Sequence, residues 1–127
     1  FDIRDFKKLY QFINFSRPSI IFHLAGQPLV FESYKKPLLT FDVNFRGTLN
    51  VLEASKKLKF IKSIVLITSD KCYENMGHVK KYKESDILGG VDPYSASKAS
   101  AELIIKSFYN SFCDHFIKIK FIIFINT

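Results

Sequence analysis

The order of apolar and amphipathic stretches predicts an α/β protein built on a doubly wound parallel sheet. Three apolar runs, at about 19–25, 63–68 and 118–125, have strand length, and the segments between them are long and carry helical spacing. Strands joined through helices pair in parallel by right-handed crossovers. Two polar clusters, at 68–71 and 92–98, then fall at the same edge of that sheet, beyond the carboxyl ends of the strands, where open α/β sheets take their ligands.

Each element has its own signature. Asp5 can cap a helix whose Phe6, Leu9, Tyr10 and Ile13 follow the spacing of one buried face, and Pro18 ends that stretch. Ser19 to Ala25 is nearly continuous in apolar residues, as expected of a parallel strand covered on both faces. His23 interrupts it and is assigned a satisfied place in the core, with no catalytic role. Gly26 and Gln27 follow, and a small residue past a strand end lets a ligand approach the backbone closely, although a simple tight turn has the same composition. A polar loop is expected through Tyr34 and Lys36, then a helix from about Pro37 to Lys57 in which Gly47 marks close helix packing. After the second strand comes a connection from Ser69 to about Asp92. Connections of that length are usually functional or disordered, and Tyr73, Glu74, Asn75, Tyr82, Glu84 and the Gly89-Gly90 turn suit a segment that covers substrate. A helix from Pro93 to about Phe112 and a third strand, about Lys118 to Ile125, complete the chain.

The chemistry concentrates in two places. Proline is accommodated in the first turn of a helix and Asp92 can cap that turn, so Tyr94 falls at a helix start with Lys98 four residues on, on the same face. An ammonium close to a phenol favours the phenolate, lowering the tyrosine from its reference of about 10 toward the range where a general base is useful. An ordinary amphipathic Tyr/Lys pair would look the same. In Thr68-Ser69-Asp70-Lys71, Ser69 can hold a hydroxyl, and Asp70 and Lys71 set a candidate acid and base side by side, while Ser-Asp after a strand is also common turn chemistry.

Composition narrows the classes. The 127 residues are one domain at most, with 47% hydrophobic and 24% charged residues, as in globular chains. No apolar run approaches the roughly 18 residues of a membrane span, so no membrane partner is expected. Lys and Arg are scattered through every segment, so the net charge of +7 reads as a solvated basic surface, with no nucleic-acid partner, that would also attract an anionic nucleotide. Cys72 and Cys113 form no framework and no leader opens the chain, which together suggest a reducing, cytoplasmic setting.

Longer runs carry a resemblance. Asp2-Ile3-Arg4-Asp5, Phe22 to Val30, Asn44 with Gly47-Thr48, Ser69-Asp70-Lys71-Cys72-Tyr73-Glu74-Asn75 and Leu88 to Lys98 together resemble the middle of an extended short-chain dehydrogenase/reductase of the NAD-dependent epimerase/dehydratase type, closest to the CDP-glucose 4,6-dehydratase branch. The resemblance runs from residue 2 to about 112. It implies a Rossmann-like sheet lacking its first strands and glycine-rich loop, with the C-terminal substrate domain also absent, so that residues 1–127 are a partial NAD(P)-binding domain. It implies NAD as cofactor and a sugar nucleotide, CDP-glucose, as substrate, with a homodimer formed through the two long helices in the intact protein. By the same resemblance Tyr94 is the base at the sugar 4-hydroxyl, and Lys98 lowers its pKa and holds the nicotinamide ribose. Ser69 hydrogen-bonds near the reacting oxygen, and Asp70 and Lys71 serve the loss of water across C5 and C6. Asp2 and Ile3 match the adenine-contacting pair, and Leu24, Ala25 and Gly26 match the strand end against the dinucleotide, Gly26 standing where the family usually has alanine. No metal is implied.

The departures are also informative. The five glycines, at 26, 47, 77, 89 and 90, contain no GxGxxG, the turn that cradles a pyrophosphate, and the residue that would separate NAD from NADP is missing with it. A fragment that binds NAD poorly and turns over little is therefore expected, with an exposed sheet edge prone to aggregation. Other readings of the same residues are a UDP-N-acetylglucosamine 4,6-dehydratase, an epimerase, and a noncatalytic binding or dimerisation module.

Overall fold

The computed structural model describes residues 1–75, 82–83 and 85–112, and the backbone of Lys118–Ile122. Its centre is a parallel sheet in the order β1 (Ile20–His23), β2 (Ser63–Ile67), β3 (Lys118–Ile122). The register runs from Ile20 opposite Ser63 to His23 opposite Leu66, and from Ser63 opposite Lys118 to Ile67 opposite Ile122. Residues 123–125, expected to extend the third strand, lie outside the described residues.

Helix α1 (Phe6–Ser16) starts where Asp5 accepts a hydrogen bond from the amide of Lys8 at 3.1 Å, which satisfies one of the amides a helix start leaves unpaired. The helix stops before Pro18. Arg17 adopts a left-handed backbone with φ of 46°, costly for a residue with a Cβ, and its guanidinium lies 4.5 Å from the centre of the Phe60 ring, a contact that offsets part of that cost.

Between β1 and β2 the helical path is longer than the spacing predicts. Val30–Lys35 forms α2 where a polar loop was expected. Its single turn and a half is too short for a periodic signal, and Phe31 is exposed. The predicted helix 37–57 is present as α3 (Pro37–Phe41), a π-helical segment (Asp42–Arg46) and α4 (Gly47–Lys57). Gly47 is packed closely, but against the N-terminal turn and not another helix: a Cβ there would lie 2.3 Å from Cδ1 of Ile3.

One core cluster joins Leu9 and Ile13 of α1, Val51, Leu52 and Ala54 of α4, Leu58 and Ile61, Ile64 and Leu66 of β2, and Ile105 of α5 (Pro93–Phe112). Ile64 and Leu66 are two apart and so point to one face of the sheet, which places all three packing helices on that face. The outer face of β1 departs from expectation: Ile20 and Phe22 are 49% and 64% exposed, so this strand is covered on one side only among the described residues. An apolar run reads the same whether one face or both are covered.

The connection from Ser69 to Asp92 is not structureless. Asp70–Cys72 forms a 3-10 turn, the Glu74 amide bonds to the Ile87 carbonyl at 2.9 Å, and the Gly89 amide bonds to the Cys72 carbonyl at 2.9 Å. Tyr73 and Leu88 thereby form an antiparallel bridge that clasps the base of the arm. Residues 76–81 and Glu84 lie outside the described residues. Among the described residues no helix is long and apolar enough to cross a membrane.

Candidate active site at the carboxyl edge of the sheet

The first turn of α5 is built as its composition predicts. Asp92 accepts from the Ser95 amide through Oδ1 at 3.0 Å and from the Ser95 hydroxyl through Oδ2 at 2.7 Å, and its carbonyl takes the Ala96 amide at 2.9 Å. Pro93 fills the first helical position. Gly90 allows the incoming chain to lie on this turn, since a Cβ there would stand 2.3 Å from the Ala96 nitrogen. Helix α5 in turn packs on the 3-10 turn Asp70–Cys72. The structure therefore brings together the two segments singled out in the sequence.

Within α5, Tyr94 is buried and the Lys98 ammonium stands 6.0 Å from the centre of its ring. Burial holds the Lys98 ammonium below the usual lysine range, opposed by nearby Cys72 and Glu102. The Cys72 thiol is itself pushed up to about 12, first by burial and then by Glu102, so it is neutral at pH 7.

The second cluster faces a cleft of about 200 Å³. Asp70 and Lys71 line it with Tyr73, Tyr82, Asp92 and Ser95, and the Tyr73 and Tyr82 rings stack 5.2 Å apart at 18°. Tyr94 and Lys98 are not among the lining residues. Ser69 donates its hydroxyl proton to Asp70 Oδ1 at 3.1 Å and accepts from the Lys71 amide at 3.3 Å, so the turn chemistry expected of Ser-Asp is present alongside any role toward a ligand. The neighbouring Thr68 hydroxyl is buried and has no hydrogen-bond partner among the described residues.

Of the proposed dinucleotide contacts, Ile3, Leu24 and Ala25 line one apolar groove of about 290 Å³ beside β1. Asp2 is exposed, and hydrogen bonds from the Arg4 side chain and backbone hold its carboxyl down to about 2. Gly26 follows Ala25, just past the end of β1. A Cβ built on it would come 3.2 Å from Asn44 Oδ1 and 3.3 Å from Lys98 Nζ, so both side chains reach the strand end here.

In the sequence Asn44 enters only as part of the resemblance, with no role of its own. It sits in the π-helical segment, 2% exposed, accepting from the Gln27 amide at 2.8 Å and donating to the Gln27 carbonyl at 3.1 Å and to Ser97 Oγ at 2.9 Å. Its partners are 17 and 53 positions away in the chain, so no local pattern could reveal it. His23 has the satisfied core place predicted for it, 3.0 Å from Thr48 Oγ1. That hydroxyl gives its single proton to the Asn44 carbonyl at 2.7 Å, so His23 must be the donor and carries its hydrogen on Nε2. Burial and the Lys98 charge depress its pKa to about 4.

A parallel α/β layer with a tyrosine, a lysine and hydroxyl and carboxylate groups gathered at the strand ends is a Rossmann-type domain of the sugar-nucleotide dehydratase and epimerase class. The chain belongs to the family described as GDP-mannose 4,6 dehydratase, whose profile matches residues 1–125. It is 50% identical over 111 residues to CDP-glucose 4,6-dehydratase of Salmonella typhimurium, covering 87% of this chain and 31% of that protein. With dTDP-D-glucose 4,6-dehydratase of Dictyostelium discoideum it shares 31% identity over 121 residues, covering 87% of this chain and 28% of the relative. Among solved structures, UDP-glucose 4-epimerase of Thermus thermophilus in complex with NAD superposes with a TM-score of 0.82 at 26% identity, covering 97% of this chain and 38% of that one. The chain thus spans about a third of the length of these relatives.

Proposed function

We propose that these residues are the central part of the NAD-binding domain of a sugar-nucleotide 4,6-dehydratase whose substrate is CDP-glucose. The observation that carries the reading is the packing of the α5 turn bearing Tyr94 and Lys98 against the turn bearing Asp70 and Lys71, in a chain half identical to a CDP-glucose 4,6-dehydratase. The buried Thr68 hydroxyl, without a partner among the described residues, and the open strand end at Gly26 fit a polar ligand head at this edge, and the groove of Ile3, Leu24 and Ala25 fits a flat apolar ring. NAD, when bound, supplies a hydride acceptor for C4 of the sugar and returns the hydride to C6.

In this reading Tyr94 takes the proton of the sugar 4-hydroxyl, and Lys98 holds the cofactor ribose and keeps positive charge beside the phenol. Ser69 turns its hydroxyl proton from Asp70 to the oxygen at C4 when substrate is bound. A ketone at C4 makes the C5 proton acidic, so oxidation precedes elimination. Asp70 and Lys71, on the wall of the cleft, move the two protons that the loss of water across C5 and C6 requires. An epimerase needs no such pair, which favours a dehydratase. Asp2 and Ile3 meet the adenine end, and the helical path 37–57 and α5, with Leu103 and Phe112 exposed, supply a homodimer face.

The absence of a GxGxxG turn from the 127 residues leads us to expect weak NAD binding and little turnover by this chain alone. The test is a chimera in which residues 2–112 replace the matching segment of the Salmonella relative. Formation of CDP-4-keto-6-deoxyglucose, lost on Tyr94→Phe and Lys98→Met and reduced on Asp70→Asn, supports the reading. A chimera that binds NAD and epimerises without dehydrating overturns it.

A further inference from the structure

We propose that Ser97 is a positioning residue: its hydroxyl, clamped between Asn44 and the Tyr94 carbonyl, fixes the rotation of α5 that aims Lys98 at the end of β1. The inference rests on the assignment of Tyr94 and Lys98 to the site and adds a residue to it. Ser97 is 0% exposed, accepts from Asn44 Nδ2 at 2.9 Å and donates to the Tyr94 carbonyl at 2.7 Å. A serine that bonded only to its own helix would be indifferent to the rest of the fold. Here the acceptor side is taken by a side chain from the π-helical segment, and the same amide group donates to the Gln27 carbonyl at 3.1 Å. One hydroxyl thus ties the turn holding Tyr94 to the residue that follows Gly26.

The consequence falls on Lys98, the next residue. A helix advances about 100° per residue, so a small rotation of α5 swings a lysine tip by ångströms. The ammonium lies at the end of β1, since a Cβ built at Gly26 would stand 3.3 Å from it. Cys72 from the 3-10 turn, Glu102 from α5 itself and His23 from β1 are the titratable groups that act on it electrostatically, and Tyr94 presents its ring to it. The clamp is what holds Lys98 among them in a buried setting.

The test uses the 127-residue chain and reads Lys98 directly. Trace acetylation across a pH series, followed by peptide mass spectrometry, gives the titration of Lys98 separately from the exposed lysines. In the parent the midpoint lies below the ordinary lysine value. In Ser97→Ala it moves up toward that value, while far-UV circular dichroism is unchanged. Ser97→Cys, similar in size with a weaker donor, moves it the same way by less and serves if the alanine variant does not fold. Ser97→Thr, which keeps the hydroxyl, restores the parent profile. Superimposable profiles for folded Ser97→Ala and parent overturn the proposal. Because this readout needs no turnover, a chimera that epimerises without dehydrating together with a shifted profile refutes the dehydratase reading alone, and a dehydrating chimera with superimposable profiles refutes the clamp alone.

Discussion

Acid should destabilise this fold through one identifiable group, His23. The imidazole is buried, donates through Nε2 to a hydroxyl whose proton is committed to the Asn44 carbonyl, and has its pKa depressed to about 4 from 6.5. A histidine whose folded pKa lies below its unfolded value binds fewer protons folded than unfolded between those two values, so stability rises with pH through that window and is lost as pH falls through it. Taking about 4 folded and 6.5 unfolded, the loss between about pH 8 and about pH 5 is roughly 2 kcal/mol, approaching about 3 kcal/mol below the folded value. Urea unfolding followed by circular dichroism at a series of pH values measures it, with His23→Gln as the reference that cannot titrate there. The parent should weaken relative to the variant as pH drops from 7 to 5. Parallel curves for the two proteins would refute the argument, since they would mean that His23 takes up a proton as readily folded as unfolded.

Three other outcomes are expected. Asp92→Ala removes both side-chain bonds to Ser95 and should cost about 1–2 kcal/mol by urea unfolding, whereas Asp92→Asn, which keeps an acceptor for the amide, should cost less than half of that. Gly90→Ala forces a Cβ to within 2.3 Å of backbone in the first turn of α5, which cannot yield as a flexible side chain could, so it should lower the melting temperature more than Gly26→Ala, whose neighbours are the Asn44 and Lys98 side chains. Ile105→Ala, at a fully buried core position, should destabilise by about 2–5 kcal/mol with an unchanged urea slope.

How much of this was legible in the sequence depends on how far each signal reaches along the chain. α1 and α5 announce themselves through Asp5 and Asp92 and through apolar spacing, because caps and faces are set within a turn or two. The pairing of a strand-end cluster with a helix-start cluster could be inferred because parallel topology sends both to one edge. Asn44 could not, since nothing local distinguishes an asparagine that bonds Gln27 and Ser97 from one that faces water. Nor could the π-helical segment that carries it, the exposure of Ile20 and Phe22, or the direct partner of Gly47, each of which is decided by residues distant in the chain.

The clasp at the base of the 69–92 arm has a consequence for variation among relatives. With Tyr73 bridged to Leu88 and Gly89 bonded back to Cys72, the two ends of the arm are fixed whatever lies between them. Lengthening a closed loop is cheap, about 0.6 kcal/mol for each doubling. Residues can therefore be gained or lost beyond the clasp without disturbing Asp70 and Lys71, so the length of the arm and the placing of these two side chains can vary independently.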